Sequence, residues 1–116
     1  MEYDRTNVFA RILRGELPCN KVYEDEHVLA FRDIHPQAPV HVLIIPRKVI
    51  ATHADVKAED RELLGHLHVV AAQLAEQLGI GDGYRLIINC KERAGQTVPH
   101  LHMHLLGGRD FRWPPG

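Results

Sequence analysis

Three histidines at strict alternation, His100-Leu101-His102-Met103-His104, stand out among the nine in this 116-residue chain. Imidazole is the side chain whose ordinary pKa brings both protonation states within reach at neutral pH. With its N–H held by an acceptor, the other ring nitrogen can attack phosphorus or bind a metal. Read as a strand, Val98 to Leu106 sends the three imidazoles toward a cleft and Leu101, Met103 and Leu105 toward the core. Geometry weighs against one ion on all three. Their outer β-carbons lie about 13 Å apart, each imidazole reaches roughly 3.5 Å, and Zn–N bonds are about 2.1 Å. No Cys or acidic residue stands beside this strand, so no metal and no cofactor is expected. A two-histidine site completed from elsewhere is the remaining metal option. Just upstream, Gly95-Gln96-Thr97 offers backbone N–H groups, an amide and a hydroxyl, which suit a phosphate without net positive charge.

The elements that must position these groups are legible in outline. Asn7 caps a short helix with Phe9, Ile12 and Leu13 on one face and Gly15 past its end. Two strands, Val22–Glu24 and Val28–Arg32, flank the turn Asp25-Glu26-His27. A loop bracketed by prolines, Asp33 to Pro39, leads into the β-branched strand Val40–Ile45, which Pro46 ends. Leu63, Leu64, Leu67, Val70, Ala71, Leu74 and Leu78 recur at helical spacing; the helix starts near Asp55 and Gly79 closes it. Tyr84–Asn89 and Val98–Leu106 supply two more strands. The order β-β-β-α-β-β, after a small leading helix, predicts one α+β domain on a mainly antiparallel five-stranded sheet. It spans residues 1–116, with a tail from 107 whose Trp113 needs somewhere to dock.

Composition removes several function classes. Fourteen Lys+Arg against fifteen Asp+Glu leave a net charge of -1, which gives no field for gathering nucleic acid or anionic lipid. No apolar run approaches membrane-spanning length. Cys19 and Cys90 form no CxxC pair and receive no catalytic role. The chain therefore reads as cytoplasmic and reduced. Asp33 in its loop is also a natural turn residue, and His41 on its strand is also a natural core histidine. His27, His35, His53, His66 and His68 are assigned to solvated or structural roles.

At His100 to Leu106 the sequence resembles the histidine triad superfamily, whose signature is His-φ-His-φ-His-φ-φ with φ apolar. The resemblance extends to Asp33 through His41, to Gly83-Tyr84-Arg85 with Asn89, and to Gly107-Gly108-Arg109. The Leu-Gly-Gly-Arg segment and the Trp-Pro-Pro-Gly ending are similar to the nucleotide-binding, phosphoramidase branch. That resemblance implies a nucleotidyl transfer to His102, with His100 and His104 orienting it and touching the α-phosphate and His41 completing the cluster. It implies phosphate binding by Asn89, Gly95, Gln96 and Thr97, with the Thr97 hydroxyl near the leaving amine. Asp33 would bind ribose, and Phe9, Ile12, Phe31, Ile34 and Leu43 would wall the base pocket. It further implies a homodimer through the long helix and the Tyr84–Asn89 strand, with Trp113 reaching the partner's site. The expected ligands are purine nucleoside monophosphates and their phosphoramidates. Dinucleoside polyphosphate hydrolysis, or a nucleotide-binding module with incidental turnover, stay open beside this reading. Two departures stand out: Val49 lies where some relatives have a histidine, and Pro99 where many have an aromatic residue.

Overall fold

In the computed structural model, which describes residues 1–116, seven main elements follow one another. They are α1 (Val8–Leu13), β1 (Lys21–Glu24), β2 (Val28–Arg32), β3 (Val40–Pro46), α2 (Arg61–Gln77), β4 (Tyr84–Ile87) and β5 (Met103–Gly107). All five strands form one antiparallel sheet in the order β1-β2-β3-β5-β4. The expected α+β architecture is present. No helix is long and apolar enough to cross a membrane.

β2 and the central strand β3 are apolar at successive positions because both faces of the sheet are covered there. Alternation sends Val28, Ala30, Val42, Ile44, Met103 and Leu105 to one side, where Leu67, Val70, Ala71 and Leu74 of α2 meet them. Leu29, Phe31, Leu43 and Ile45 point to the other side, where only Phe9 of α1 is a fully buried partner. Asn7 starts α1 as expected, its side chain accepting from the Ala10 N–H at 2.8 Å. Gly79, with φ +76, follows the end of α2 in the left-handed conformation that lets the chain leave.

Three boundaries differ from the sequence reading by more than one residue. The long helix begins at Arg61, not near Asp55, because the intervening chain makes two 3-10 turns, His53–Asp55 and Ala58–Asp60. Asp55 caps the first, accepting from Thr52 N–H and Oγ; Asp60 accepts from the Lys57 N–H at 2.9 Å in the second. The strand expected over Tyr84–Asn89 stops at Ile87. The strand expected over Val98–Leu106 starts only at Met103. Its neighbour explains this: β3 ends at Pro46, and continuing the register beyond Ile44↔Met103 would set Pro46 opposite Leu101. Neither Pro46 nor Pro99 has an N–H to donate to a ladder.

Candidate active site

His104 sits on β5 directly opposite Leu43 of β3, which places it on the α1 side of the sheet. His41 opposes Leu106 and is therefore the diagonal neighbour of His104 on the same face. The two rings meet, with His41 Nε2 and His104 Nδ1 2.9 Å apart. Hydrogen placement follows from the partners at each end. The Gln37 backbone N–H donates to His41 Nδ1 at 3.0 Å, so the neutral His41 carries its hydrogen on Nε2. Nε2–H then donates to His104 Nδ1, which leaves His104 with Nε2–H as a free donor. The loop that supplies Gln37 is tied down in turn, since Arg109 Nε donates to the Gln37 carbonyl at 3.1 Å.

His102 lies outside the strand, yet its ring joins the same face, 5.1 Å from that of His104 and 4.9 Å from Phe9 by centroid. Its Nδ1–H donates to the His100 carbonyl at 2.6 Å. Nε2 has no protein partner and no buried side-chain polar atom is left unpaired, so that nitrogen reaches the cleft. Burial pushes His100, His102 and His41 below the ordinary histidine range, Asp33 opposing the shift at the last two. His104 is lowered to about 4, chiefly by burial and then by its neighbours His102 and His41. All four imidazoles are neutral at pH 7, which preserves the lone pair at His102.

His102 and His104 line one end of a cleft of about 470 Å³, a size suited to a small ligand. Phe9, Ile12, Phe31, Ile34 and Leu43 line it, together with Asp33, Thr97, His102 and His104. Ile34 is 86% exposed on its rim, an apolar side chain with nothing packed over it. Asp33 accepts from the His35 N–H through Oδ1, and its Oδ2 lies 3.5 Å from His41 Nε2. The turn role and a place on the cleft wall thus coexist in one carboxylate. Depressions of similar size near Lys48–Asp60 and near Tyr84–Phe111 hold none of these four histidines.

Other residues picked out by sequence lie elsewhere. His100 is fully buried and does not line the cleft; its ring is turned to Pro46 and Tyr3 because the chain is not yet a strand there. The alternation that placed all three imidazoles on the cleft holds for His102 and His104 only. Gln96 is a buried clamp, accepting from Lys91 N–H and donating to the carbonyls of Ala51 and Val98. Asn89, Gly95 and Trp113 are not part of the cleft wall, and Trp113 is 84% exposed. Conversely, Val8, Leu17, Pro18, Cys19 and Asn20 line it and escaped the sequence reading. Burial pushes the Cys19 thiol up, so it stays protonated at neutral pH.

A metal-capable grouping also emerges that sequence proximity hid. One ligand atom each from Asp33, His41 and His104 lies within 4.8 Å of the others. Carboxylate and imidazole are a fitting donor set for zinc, although the hydrogen shared by the two rings must leave first.

The HIT domain model matches residues 14–111. A purine nucleoside phosphoramidase of Escherichia coli strain K12 is 56% identical over 103 residues, covering 88% of this chain and 87% of the relative. A 14 kDa zinc-binding protein of Zea mays is 51% identical over 97% of this chain and 90% of its own length. The crystal structure of a HIT family hydrolase from Legionella pneumophila Philadelphia 1 superposes with TM-score 0.93 at 51% identity, covering 96% of this chain and all of the other. Histidines carried on β5 and its approach, an antiparallel sheet with one long helix, and likeness over nearly the full length place this chain in the HIT domain family.

Proposed function

We propose that the chain hydrolyses the P–N bond of purine nucleoside 5′-phosphoramidates by double displacement at phosphorus, with His102 as nucleophile. One observation carries this reading. His102 gives its Nδ1–H to the His100 carbonyl, which leaves Nε2 as an unprotonated, directed lone pair at the wall of the cleft. The E. coli relative, named for purine nucleoside phosphoramidase activity, supports the same chemistry.

In the first half-reaction His102 Nε2 bonds to the α-phosphorus while the P–N bond to the amine breaks. The Thr97 hydroxyl, on the cleft wall, faces the leaving nitrogen and assists its protonation. The positive charge on the nucleotidyl-imidazolium is shared with the His100 carbonyl through Nδ1–H. The free Nε2–H of His104 donates to a phosphate oxygen, and His41 keeps it in that tautomer. In the second half-reaction water attacks phosphorus as the P–Nε2 bond to His102 breaks; its oxygen stays on the phosphate, its released proton replaces the one the amine took, and His102 Nε2 recovers its lone pair. The balance is phosphoramidate plus water to nucleoside monophosphate plus amine. Asp33 Oδ2 accepts from the ribose hydroxyls, and the purine lies between Ile34 and the Phe9–Ile12 face of α1.

A homodimer belongs to the same proposal. β4 is an edge strand, and its outward residues Tyr84 and Leu86 are each 36% exposed, with Val69 of α2 exposed as well. Such an edge needs a partner or a cover. Sedimentation of the native chain and of Leu86→Asp tests this: dimer for the first, monomer for the second.

AMP release from adenosine 5′-phosphoramidate, by the native chain and by His102→Ala, each with and without EDTA, tests the chemistry. Turnover that survives chelation and vanishes in the variant is expected. Binding of AMP without turnover would sink the catalytic reading. A second reading, a zinc site at Asp33, His41 and His104, is favoured by their clustering and predicts turnover lost to EDTA and restored by zinc.

A further inference from the structure

The segment that delivers the histidines is held differently along its length. From Met103 onward, β5 is fixed by ladder bonds to β3 on one side and β4 on the other. Between Val98 and His102 the backbone N–H groups make only two bonds, His100 to the Val98 carbonyl and Leu101 to the Ile50 carbonyl. Pro99 has no N–H to add a third. Yet the His100 carbonyl must keep one direction, because it accepts the His102 Nδ1–H at 2.6 Å and so aims Nε2.

The His100 side chain supplies the missing restraint. Its Nε2 lies 2.8 Å from the Pro46 carbonyl, which can only accept, so Nε2 carries the hydrogen. Nδ1 is then an acceptor, and the phenol of Tyr3 donates to it at 2.6 Å. Tyr3 precedes α1 and is 97 residues away in the chain. Its ring also packs against the imidazole, centroids 5.5 Å apart and tilted by 58°. His100 is wholly buried, so without the phenol its Nδ1 would have no protein partner.

We propose that Tyr3 is a positioning residue: its O–H, by holding His100 in one tautomer and one orientation, fixes the His100 peptide and through it the direction of the His102 lone pair. The kinetic consequence rests on the phosphoramidase reading above; the tautomeric consequence does not. Tyr3→Phe keeps the packed ring and removes the donor, whereas Tyr3→Ala removes both. The experiment records ¹⁵N resonances of the histidine rings in the unliganded full-length protein, with kcat and KM for adenosine 5′-phosphoramidate. In Tyr3→Phe the His100 Nδ1 resonance should leave its hydrogen-bonded position and the His102 Nδ1–H resonance should move with it. Its kcat should fall about three- to tenfold, the range one neutral hydrogen bond commands, with KM unchanged. Tyr3→Ala should lose little more. Wild-type resonances and kcat in Tyr3→Phe, with loss confined to Tyr3→Ala, would reduce Tyr3 to packing and overturn the proposal. If the wild type turns over no phosphoramidate, the functional reading falls, and the ring resonances alone decide the role of Tyr3.

Discussion

The two faces of this sheet are built from the same strands and obey opposite rules. Toward α2, small and branched apolar side chains interlock without a polar interruption: Val28, Val42, Ile44, Leu67, Val70, Leu74 and Leu105 are each at most 1% exposed. Toward α1, the same β3 and β5 carry His41 and His104 beside Leu43, and a short helix leaves a cleft open. Successive residues of β3 serve either face, so packing and chemistry are separated by a single step along the strand. A face that must hold four neutral imidazoles in fixed tautomers cannot also be closed by apolar contact. Stability is therefore concentrated on the α2 side, and the cleft is carried by it.

The sharpest way to test this division is to delete one residue from each face. His102→Ala should lower phosphoramidate turnover by on the order of 10³-fold or more while the protein remains folded. Leu74→Ala, in the α2 core, should cost about 2–5 kcal/mol in urea unfolding. Its turnover per folded molecule should stay near wild type. A Leu74→Ala protein that unfolds as the native one does, or a His102→Ala protein that fails to fold, would erase the distinction.

What the sequence disclosed follows the same line. The α2 face was readable because helical and strand periodicities are local, and a run such as Leu67, Val70, Ala71 and Leu74 needs no partner to be recognised. The cleft was half readable. His102 and His104 were found by alternation, but alternation presumes a strand, and the strand fails where Pro46 would oppose Leu101. That failure leaves His100 buried against Pro46 and Tyr3 instead of on the cleft wall. The approach of Asp33 to His41 and His104 was hidden because β3 and β5 are joined through α2 and β4. Tyr3 gave no signal, since a tyrosine ahead of a short helix has no period. Gln96 was noticed for the right segment, yet it holds the loop rather than facing the cleft.

Acid titration should split the faces by pH. On the cleft side, the imidazoles have native pKa values below their unfolded value of about 6.5, with His104 near 4. Below about pH 6.5 the unfolded chain takes protons that the native state refuses, so stability falls as pH drops, and the His104 share of that fall levels off beneath about 4. Asp25 acts in the same direction over a lower pH window. Burial raises its carboxyl, but hydrogen bonds from Tyr23, His66 and the amides of His27 and Val28 pull it well below the carboxylate range. That contribution is intact above the ordinary Asp value of about 4 and is lost as pH falls below it. His66 lies on α2, so this second limb reports the helix side. Urea midpoints from pH 8 to 2 should show both limbs, the upper one weakened in His104→Gln and the lower one in Asp25→Asn. Loss of the same limb in both variants would contradict the assignment.

The smallest expected effect concerns the short helix that lines the cleft. Asn7 is 8% exposed and caps α1 by accepting from the Ala10 N–H, while its Nδ2 donates to the Asp4 carbonyl ahead of the helix at 2.7 Å. α1 spans six residues, too few to be stable alone, so it persists through this cap and through Phe9 packed on Phe31. Asn7→Ala should cost about 1 kcal/mol of global stability. Because α1 contributes Val8, Phe9 and Ile12 to the cleft, the same change should weaken AMP binding by about two- to fivefold while leaving kcat alone. A cap acting only on stability would lower the urea midpoint and leave affinity untouched. Loss of affinity at unchanged midpoint would instead mean that α1 is ordered by the ligand and not by its own N-terminus.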